Sequence, residues 1–169
     1  SEMCIRDRLV AVLWSCQRTI NRFPPELVSA PRELLGCIDV DEVTADTVQS
    51  RAMQTLGTVL GRKPRSSYAL LVFTDVLVLI QRHSSIPTHI LLGLHEPDRL
   101  ADQMRSSHIS APSNRRTDLS FAGMSSLHDI CVTGQGAELS IEMDRPMRGA
   151  PSKSAQLVRR FVDAMPDAH

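Results

Sequence analysis

Ser126, His128 and Asp129 lie close together in the chain and are the side-chain types of a nucleophile, a general base and an orienting carboxylate. The alternation of a strand would place these neighbours on different faces, and no G-x-S-x-G turn surrounds Ser126. We therefore interpret all three as ordinary strand and turn residues and predict no catalytic site. A small enzyme with an unrecognised site stays a weaker functional alternative.

Two groups of side chains have the chemistry of metal ligands but not the spacing. The histidines recur every six residues, which is not the spacing of ligands on any regular element. The acidic group lacks the glycine and the spacing of a calcium loop, so we interpret it as the solvated edge of a strand. We predict neither a metal site nor a bound cofactor. The two groups are His83, His89 and His95, and Asp39, Asp41 and Glu42.

Positive charge is concentrated just before the central apolar segment. The run TLGTVLGRKP has glycines and a lysine but lacks the GK[ST] ending of a phosphate loop, so we predict no nucleotide site there. Its basic residues are candidates for weak contact with anionic lipid, and a second basic pair lies in a later loop. The alternative for both sets is solubilising loop charge. The sets are Arg62, Lys63 and Arg65, and Arg115 and Arg116.

Composition excludes several classes of partner. The chain has 169 residues, with 19 Lys and Arg against 19 Asp and Glu, so its formal net charge is zero. A nucleic-acid binder needs a basic field, and aromatic residues, at 4%, are too few for base stacking. The four cysteines form no C-x-x-C pair and are predicted to be free thiols in a reducing compartment, which favours the cytoplasm.

The segment YALLVFTDVLVLIQR, residues 68–82, is the strongest structural signal. Two apolar runs rich in β-branched and aromatic residues flank Thr74-Asp75, which predicts two strands joined by a tight turn. A single buried helix is the alternative for so short an apolar segment. A hairpin at this position favours an antiparallel sheet over a helical bundle.

The remaining pattern predicts an α+β fold: a small antiparallel sheet of about seven strands, with an N-terminal helix and a closing C-terminal helix. Alternation or periodicity defines each element. Helices are expected at 9–23, ending at Pro24-Pro25, and at 47–60, 98–104 and 154–165. Strands are expected at 33–43, at 89–94 and within 119–143, where Gly134 to Gly136 form a turn, and 106–118 is expected to be a loop.

Several segments, in this order, resemble one known family. FPPELVSAPRELLGCIDVDEV followed by YALLVFTDVLVLIQR is similar to the junction between the Dbl-homology and pleckstrin-homology domains of fungal Rho guanine-nucleotide exchange factors of the bud-site and cytokinesis type. The family's INRFPPEL, LFLFxDxLxI and LSFxGxxSLxDI segments match residues 20–27, 70–80 and 119–130, and its terminal helix matches 154–165.

The resemblance implies a domain plan and partners. Residues 9–27 would end the Dbl-homology helical domain. Residues 33–165 would form a pleckstrin-homology-like domain, an antiparallel barrel or sandwich of about seven strands closed by a C-terminal helix, with a polar insertion at 44–67. Residues 1–8, SEMCIRDR, resemble a translated sequencing-adapter read-through, so we expect them to be non-native and the natural protein to extend upstream. The implied partners are a Rho-family GTPase, a scaffold protein and weakly bound phospholipid, at the cell cortex or the septum and bud site.

Two departures from the family pattern limit what this chain can do. The exchange helices of the Dbl domain lie upstream of residue 9, so the chain alone is predicted not to catalyse exchange. Asp39, Asp41 and Glu42 stand on the first strand, where they would repel phosphates and weaken lipid binding. The main alternative is a stand-alone pleckstrin-homology-like adaptor that binds lipid or peptide and has no link to exchange.

Overall fold

The computed structural model describes residues 5–43, 66–107, 118–149 and 156–164. Within them the chain forms three helices, two short 3-10 turns and one sheet of eight strands. The helices are α1 (Ile5–Thr19), α2 (Thr88–Leu91) and α3 (Pro97–Ser106). The strands are β1 (Ile20–Asn21), β2 (Leu34–Val43), β3 (Ser67–Phe73), β4 (Val76–Arg82), β5 (Leu119–Ser126), β6 (Ile130–Gln135), β7 (Glu138–Met143) and β8 (Val158–Asp163).

The sheet has the order β1-β5-β4-β3-β2-β8-β7-β6, and every neighbouring pair except β1 and β5 is antiparallel. Strand β2 is shared, because residues 34–41 pair with β3 while residues 40–43 pair with β8. The α+β class and the antiparallel sheet are therefore confirmed. The closed barrel is wrong, since the sheet is open with β1 and β6 at its ends.

The central hairpin forms as predicted. Strands β3 and β4 pair from Tyr68 opposite Gln81 to Val72 opposite Leu77, which leaves Thr74 and Asp75 as the turn. All but two residues of the fourteen in these strands are apolar or buried, because both faces of the hairpin are covered. A strand covered on both sides has a continuous apolar run instead of strict alternation.

Two hydrophobic cores lie on the two faces of this hairpin. One face packs against α1 and the segment that follows it, and the other packs against strands β7 and β8. Successive side chains of a strand point to opposite faces, so neighbours in β3 and β4 belong to different cores. The first core includes Leu13, Cys16, Ile20, Leu71, Phe73 and Val78, and the second includes Leu70, Leu79, Ile141 and Phe161.

The N-terminal helix is confirmed, but it ends before the two prolines. Helix α1 stops at Thr19, and Ile20 then pairs in parallel with Leu119 of β5. Ile20 is 1% exposed, so the chain gains a buried apolar contact by entering the sheet instead of continuing the helix. The predicted helix at 98–104 is likewise confirmed within α3.

Two predicted elements are wrong. Residues 89–91 of the expected strand at 89–94 lie in helix α2, because Asp39 fixes the first residue of that helix, Thr88, and Gly93, at φ 75°, ends the segment. The expected closing helix contains strand β8 instead. Arg159 and Phe161 are buried while Val158 and Arg160 are exposed, which is the period of a strand.

Smaller differences concern the later strands and the loops. Leu127 lies in a 3-10 turn, and β6 starts only at Ile130. The predicted pair of strands with a turn near Gly136 is confirmed as β6 and β7. The predicted helix at 47–60 and most of the loop at 106–118 lie outside the described residues. None of the helices described is long and apolar enough to span a bilayer.

Candidate functional site

Helix α1 is fixed to the sheet by both apolar and polar contacts. Leu13 and Cys16 lie in the same buried cluster as Leu71 of β3. Next to them the Ser15 hydroxyl donates a hydrogen bond of 2.5 Å to the backbone carbonyl of Leu92, in the turn after α2. Both partners are buried, so this directional bond fixes the helix in one position along its axis. Apolar packing is not directional and fixes that position less specifically.

Helix α3 covers the other side of α1. Ala11 of α1 packs with Leu100 and Ala101 of α3, and all three are at most 5% exposed. Two small alanines allow a close approach of the helices. Helix α1 is therefore held between the sheet and α3.

Asp39 joins the sheet to helix α2. Its carboxylate accepts hydrogen bonds from the backbone N–H of Thr88, at 3.0 Å, and from the Thr88 hydroxyl, at 2.5 Å. The Arg82 Nε lies 3.3 Å from the same carboxylate, although it is not aligned as a hydrogen-bond donor. Arg82 also donates to the carbonyls of Ser84 and Ile86. The charges of this 7%-exposed aspartate and its arginine therefore compensate each other inside the protein.

The acidic group on β2 is thus not a solvated strand edge, and that prediction is wrong for Asp39. Glu42 accepts a hydrogen bond of 2.8 Å from the Nε of Arg159 and a second bond from Nη2 of the same guanidinium. Asp41 accepts a hydrogen bond of 2.9 Å from the Ser67 hydroxyl. The three carboxylates are engaged separately and form no cation site, and the described residues contain no group that could hold a metal ion.

A groove of about 530 Å³ lies between α1 and the segment formed by α2 and α3. We call it the helical groove. On its α1 side the guanidinium of Arg18 lies 5.0 Å from the centre of the Trp14 ring, a cation–π contact. On its α3 side Arg99 pairs with Glu96 at 3.2 Å, and His95 lies next to them. Arg18 has no carboxylate partner among the described residues, so the groove suits an anionic group.

Arg159 is a buried cation that the sequence pattern did not identify. It lies 5.5 Å from the ring centre of Tyr68 and 5.8 Å from that of Phe161, and these two rings meet edge to face at 6.3 Å. Together with Glu42 these contacts fix the junction between β2, β3 and β8. The sequence carries no signal for this role, because the exposed Val158 and the buried Arg159 invert the usual alternation of polar and apolar residues.

The two thiols in the first core are chemically inert at neutral pH. Burial raises the pKa of Cys16 to about 12, with the nearby Cys37 adding to the effect. Burial also raises the pKa of Cys37 to about 12, with Asp39 adding to the effect and Arg82 opposing it. Both thiols stay protonated, so neither acts as a nucleophile. Cys131 is exposed, and all three are free, as predicted.

The other sequence candidates are not brought together as a catalytic or metal site. The Ser126 hydroxyl accepts a hydrogen bond from the backbone N–H of His128, which caps a 3-10 turn, and Asp129 lies 3.7 Å from Arg145. The Nε2 of His83 lies 3.1 Å from the Ser120 hydroxyl.

The predicted lipid-contact residues Arg62, Lys63 and Arg65 lie outside the described residues, on the stretch of chain that joins β2 to β3. Arg115 and Arg116 lie outside them as well. The lipid contact therefore stays a prediction.

The comparisons with known proteins identify no relative. No family model, no curated protein and no solved structure matches the chain.

Proposed function

We propose that the chain is part of a fungal-type Rho guanine-nucleotide exchange factor, comprising the end of its catalytic helical domain and the pleckstrin-homology-like domain that follows. In this proposal α1 is the end of the catalytic domain and the sheet is the regulatory or scaffolding domain. The chain itself carries no exchange activity. It acts on a Rho-family GTPase only as part of the complete protein.

The observation that carries the proposal is the arrangement of the strands. Apart from the two-residue β1, the sheet has seven strands, the number predicted from the sequence pattern. They form a group of four, β2 to β5, and a group of three, β6 to β8, joined through β2. A small sandwich of the pleckstrin-homology kind needs two such antiparallel groups. The closing helix of the family has no counterpart among the described residues.

The docking of α1 supports the link to a catalytic domain. The helix is buried on two sides, and the Ser15 bond to Leu92 fixes its position. A helix held in this way transmits the position of the sheet to any helical domain that continues from it. The helical groove lies along the same helix and offers Arg18, which has no carboxylate partner among the described residues, to a partner with acidic surface groups.

Recovery and sequencing of the full-length transcript is the first test. The proposal expects a helical domain of about 200 residues directly before residue 9. An unrelated upstream sequence, or an initiator methionine next to this position, would favour the stand-alone adaptor instead.

The second test uses the recovered full-length protein in a fluorescent-nucleotide release assay with a panel of Rho-family GTPases. Leu13→Ala, which removes a 2%-exposed side chain from the junction, should reduce exchange. Val10→Ala, on the same helix but 38% exposed, is the matched control and should leave exchange unchanged. Equal activity of both variants would refute the bracing role of the sheet.

A further inference from the structure

Strand β6 forms an open edge of the sheet. Among the described residues it pairs with β7 alone, and five of its six residues are exposed. An edge strand presents unpaired backbone N–H and C=O groups along its outer side, and these can pair with another extended chain.

The β6 edge lacks the features that usually protect such strands. Its sequence, ICVTGQ, contains no charged residue and no proline. Its pairing with β7 runs from Ile130 opposite Met143 to Gln135 opposite Glu138 without a bulge. Natural edge strands are commonly blocked by charges, proline or bulges. The unprotected β6 edge is therefore geometrically ready to accept a further strand.

A pocket of about 260 Å³ lies at the start of this edge. Ile130 and Cys131 of β6 line it together with Leu157 and Val158, which are 45% and 47% exposed. Val132, the next residue of β6, is 49% exposed, but it pairs opposite the buried Ile141 and so points to the other face of the sheet from Cys131. Cys131 is exposed in the lining of the pocket, and it offers the aliphatic part of a side chain a surface beside the edge.

The rim of the pocket is acidic. Glu142 and Asp144 are exposed there and form no ion pair within the part of the chain that the structure describes. Asp129, on the same rim, has Arg145 at 3.7 Å. These two carboxylates have no cationic partner and lie next to apolar side chains. They are complementary to a lysine or arginine, whose charged end needs an opposite charge and whose methylene stem needs an apolar surface.

We propose that the β6 edge binds an extended segment of a partner protein as an added strand, with a lysine or arginine of that segment in the pocket. The stem of the basic side chain crosses β6 beside Cys131, and its charge faces Glu142 and Asp144, which lie on and just after the neighbouring strand β7. Backbone hydrogen bonds to β6 supply sequence-independent affinity, and the pocket supplies the preference for a basic residue. This interaction does not depend on the proposed exchange function.

A second copy of the chain fits this edge less well. The β6 strand of another copy carries no positive charge to meet Glu142 and Asp144. The acidic rim therefore favours a basic peptide over self-association.

The test measures the anisotropy of a fluorescein-labelled peptide that alternates Thr and Val around one central Lys. Binding should saturate, should weaken about tenfold or more when the Lys is replaced by Glu, and should disappear when alternate backbone nitrogens are methylated. Glu142→Gln combined with Asp144→Asn should weaken binding of the Lys peptide about tenfold. Glu138→Gln, an exposed change at the other end of β7, is the matched control and should have no effect.

Val132→Lys tests the edge separately from the pocket. A lysine at this exposed edge position should reduce binding of every peptide while circular dichroism and the melting temperature stay those of the parent. No saturable binding, equal binding of the methylated peptide, or equal loss in Glu138→Gln would overturn the proposal. Sedimentation of the parent as a dimer that Val132→Lys converts to monomer would assign the edge to a second copy instead.

Discussion

Asp39 shows how a single buried charge organises the chain around it. It lies on the same face of β2 as Cys37, under helix α2, and its two oxygens are engaged by Thr88 and Arg82. A carboxylate at this depth is tolerated because a cation and two donors surround it. The same contacts determine that the chain after β4 turns into a short helix.

The first prediction is therefore that Asp39→Ala is strongly destabilising. It leaves Arg82 buried without its counter-charge, and we expect a loss of about 3–5 kcal/mol in the free energy of unfolding, measured with urea. The control is Asp98→Ala, which removes an exposed pair with Arg8 and should cost about 0–1 kcal/mol. Equal effects of the two changes would mean that the Asp39 network does not stabilise the fold.

The second prediction concerns the buried thiols. Their pKa values lie near 12 in the folded chain, above the ordinary value of 9.0, so folding favours the protonated form. The stability they contribute is complete below pH 9 and is lost as the pH rises from 9 towards 12. The difference in unfolding free energy between the parent and Cys16→Ala with Cys37→Ala should therefore shrink over this range.

Alkylation rates provide an independent check of the thiols. Iodoacetamide at pH 8 should modify Cys131 quickly in the native chain, while Cys16 and Cys37 react only after urea is added. Peptide mapping distinguishes the sites. Rapid native modification of Cys16 would contradict its burial in the first core.

At the scale of elements, the central hairpin divides the molecule into two cores. Phe73 and Leu79 are both fully buried, yet they point to opposite faces of the sheet. The third prediction is that Phe73→Ala costs about 3–5 kcal/mol and Leu79→Ala about 2–5 kcal/mol of unfolding free energy. The exposed turn change Thr74→Ala should be nearly neutral.

The two hairpin changes should also add in the double variant, because the side chains belong to different cores. Denaturation midpoints of the four proteins measure this. Parent-like midpoints for Phe73→Ala and Leu79→Ala would mean that the hairpin is not the centre of the fold.

The sequence predicted those elements whose signal is local. The hairpin was predictable because two apolar runs and a two-residue turn define it, and β2 because polar and apolar residues alternate. Helix α2 and strand β8 were mispredicted because distant contacts decide them. Thr88 depends on Asp39, and the apolar spacing around Phe161 fits a helix as well as a strand until β2 and β7 pair with it.

The candidate sites were less predictable than the fold. The helical groove joins Trp14 and Arg18 to residues about eighty positions later, and the β6 pocket joins three segments. A periodic pattern in the sequence cannot predict either site, because the residues that form it are far apart in the chain. The sequence pattern places Arg159 in a helix, because its partner Glu42 lies 117 positions away and leaves no local signal.

At the scale of the whole molecule, the observed contacts of the carboxylates on β2 change the expectation for membrane binding. Asp39 is buried and Glu42 is paired, so neither is free to repel lipid phosphate. The fourth prediction is weak liposome binding that depends on Arg62, Lys63 and Arg65 and is lost at high salt, because exposed charges are screened within about 8 Å at physiological ionic strength.

Co-sedimentation with anionic vesicles across a salt series measures this. Neutralising the three basic residues together should abolish the binding, and neutralising Arg99 and Arg105, which lie on α3, is the control. Tight phosphoinositide binding that persists at high salt would favour the adaptor alternative.

The fifth prediction is that the chain alone does not accelerate nucleotide exchange. In the proposed exchange factor, the upstream helices open the nucleotide site of the GTPase, and this chain contributes only the last of them. The purified chain should therefore leave the release rate of a fluorescent nucleotide from every Rho-family GTPase at its intrinsic value. EDTA, which removes the bound Mg²⁺, is the positive control for release in the same assay.

A large excess of the chain makes the same test more sensitive. A docked α1 without its catalytic neighbours has no means of lowering the barrier to nucleotide release, so even a large excess of chain should not accelerate it. Acceleration that saturates with chain concentration would place exchange residues within these 169 residues and overturn the assignment of activity to an upstream domain. The Leu13→Ala variant would then show whether α1 carries that activity, since Val10→Ala on the same helix leaves the junction intact.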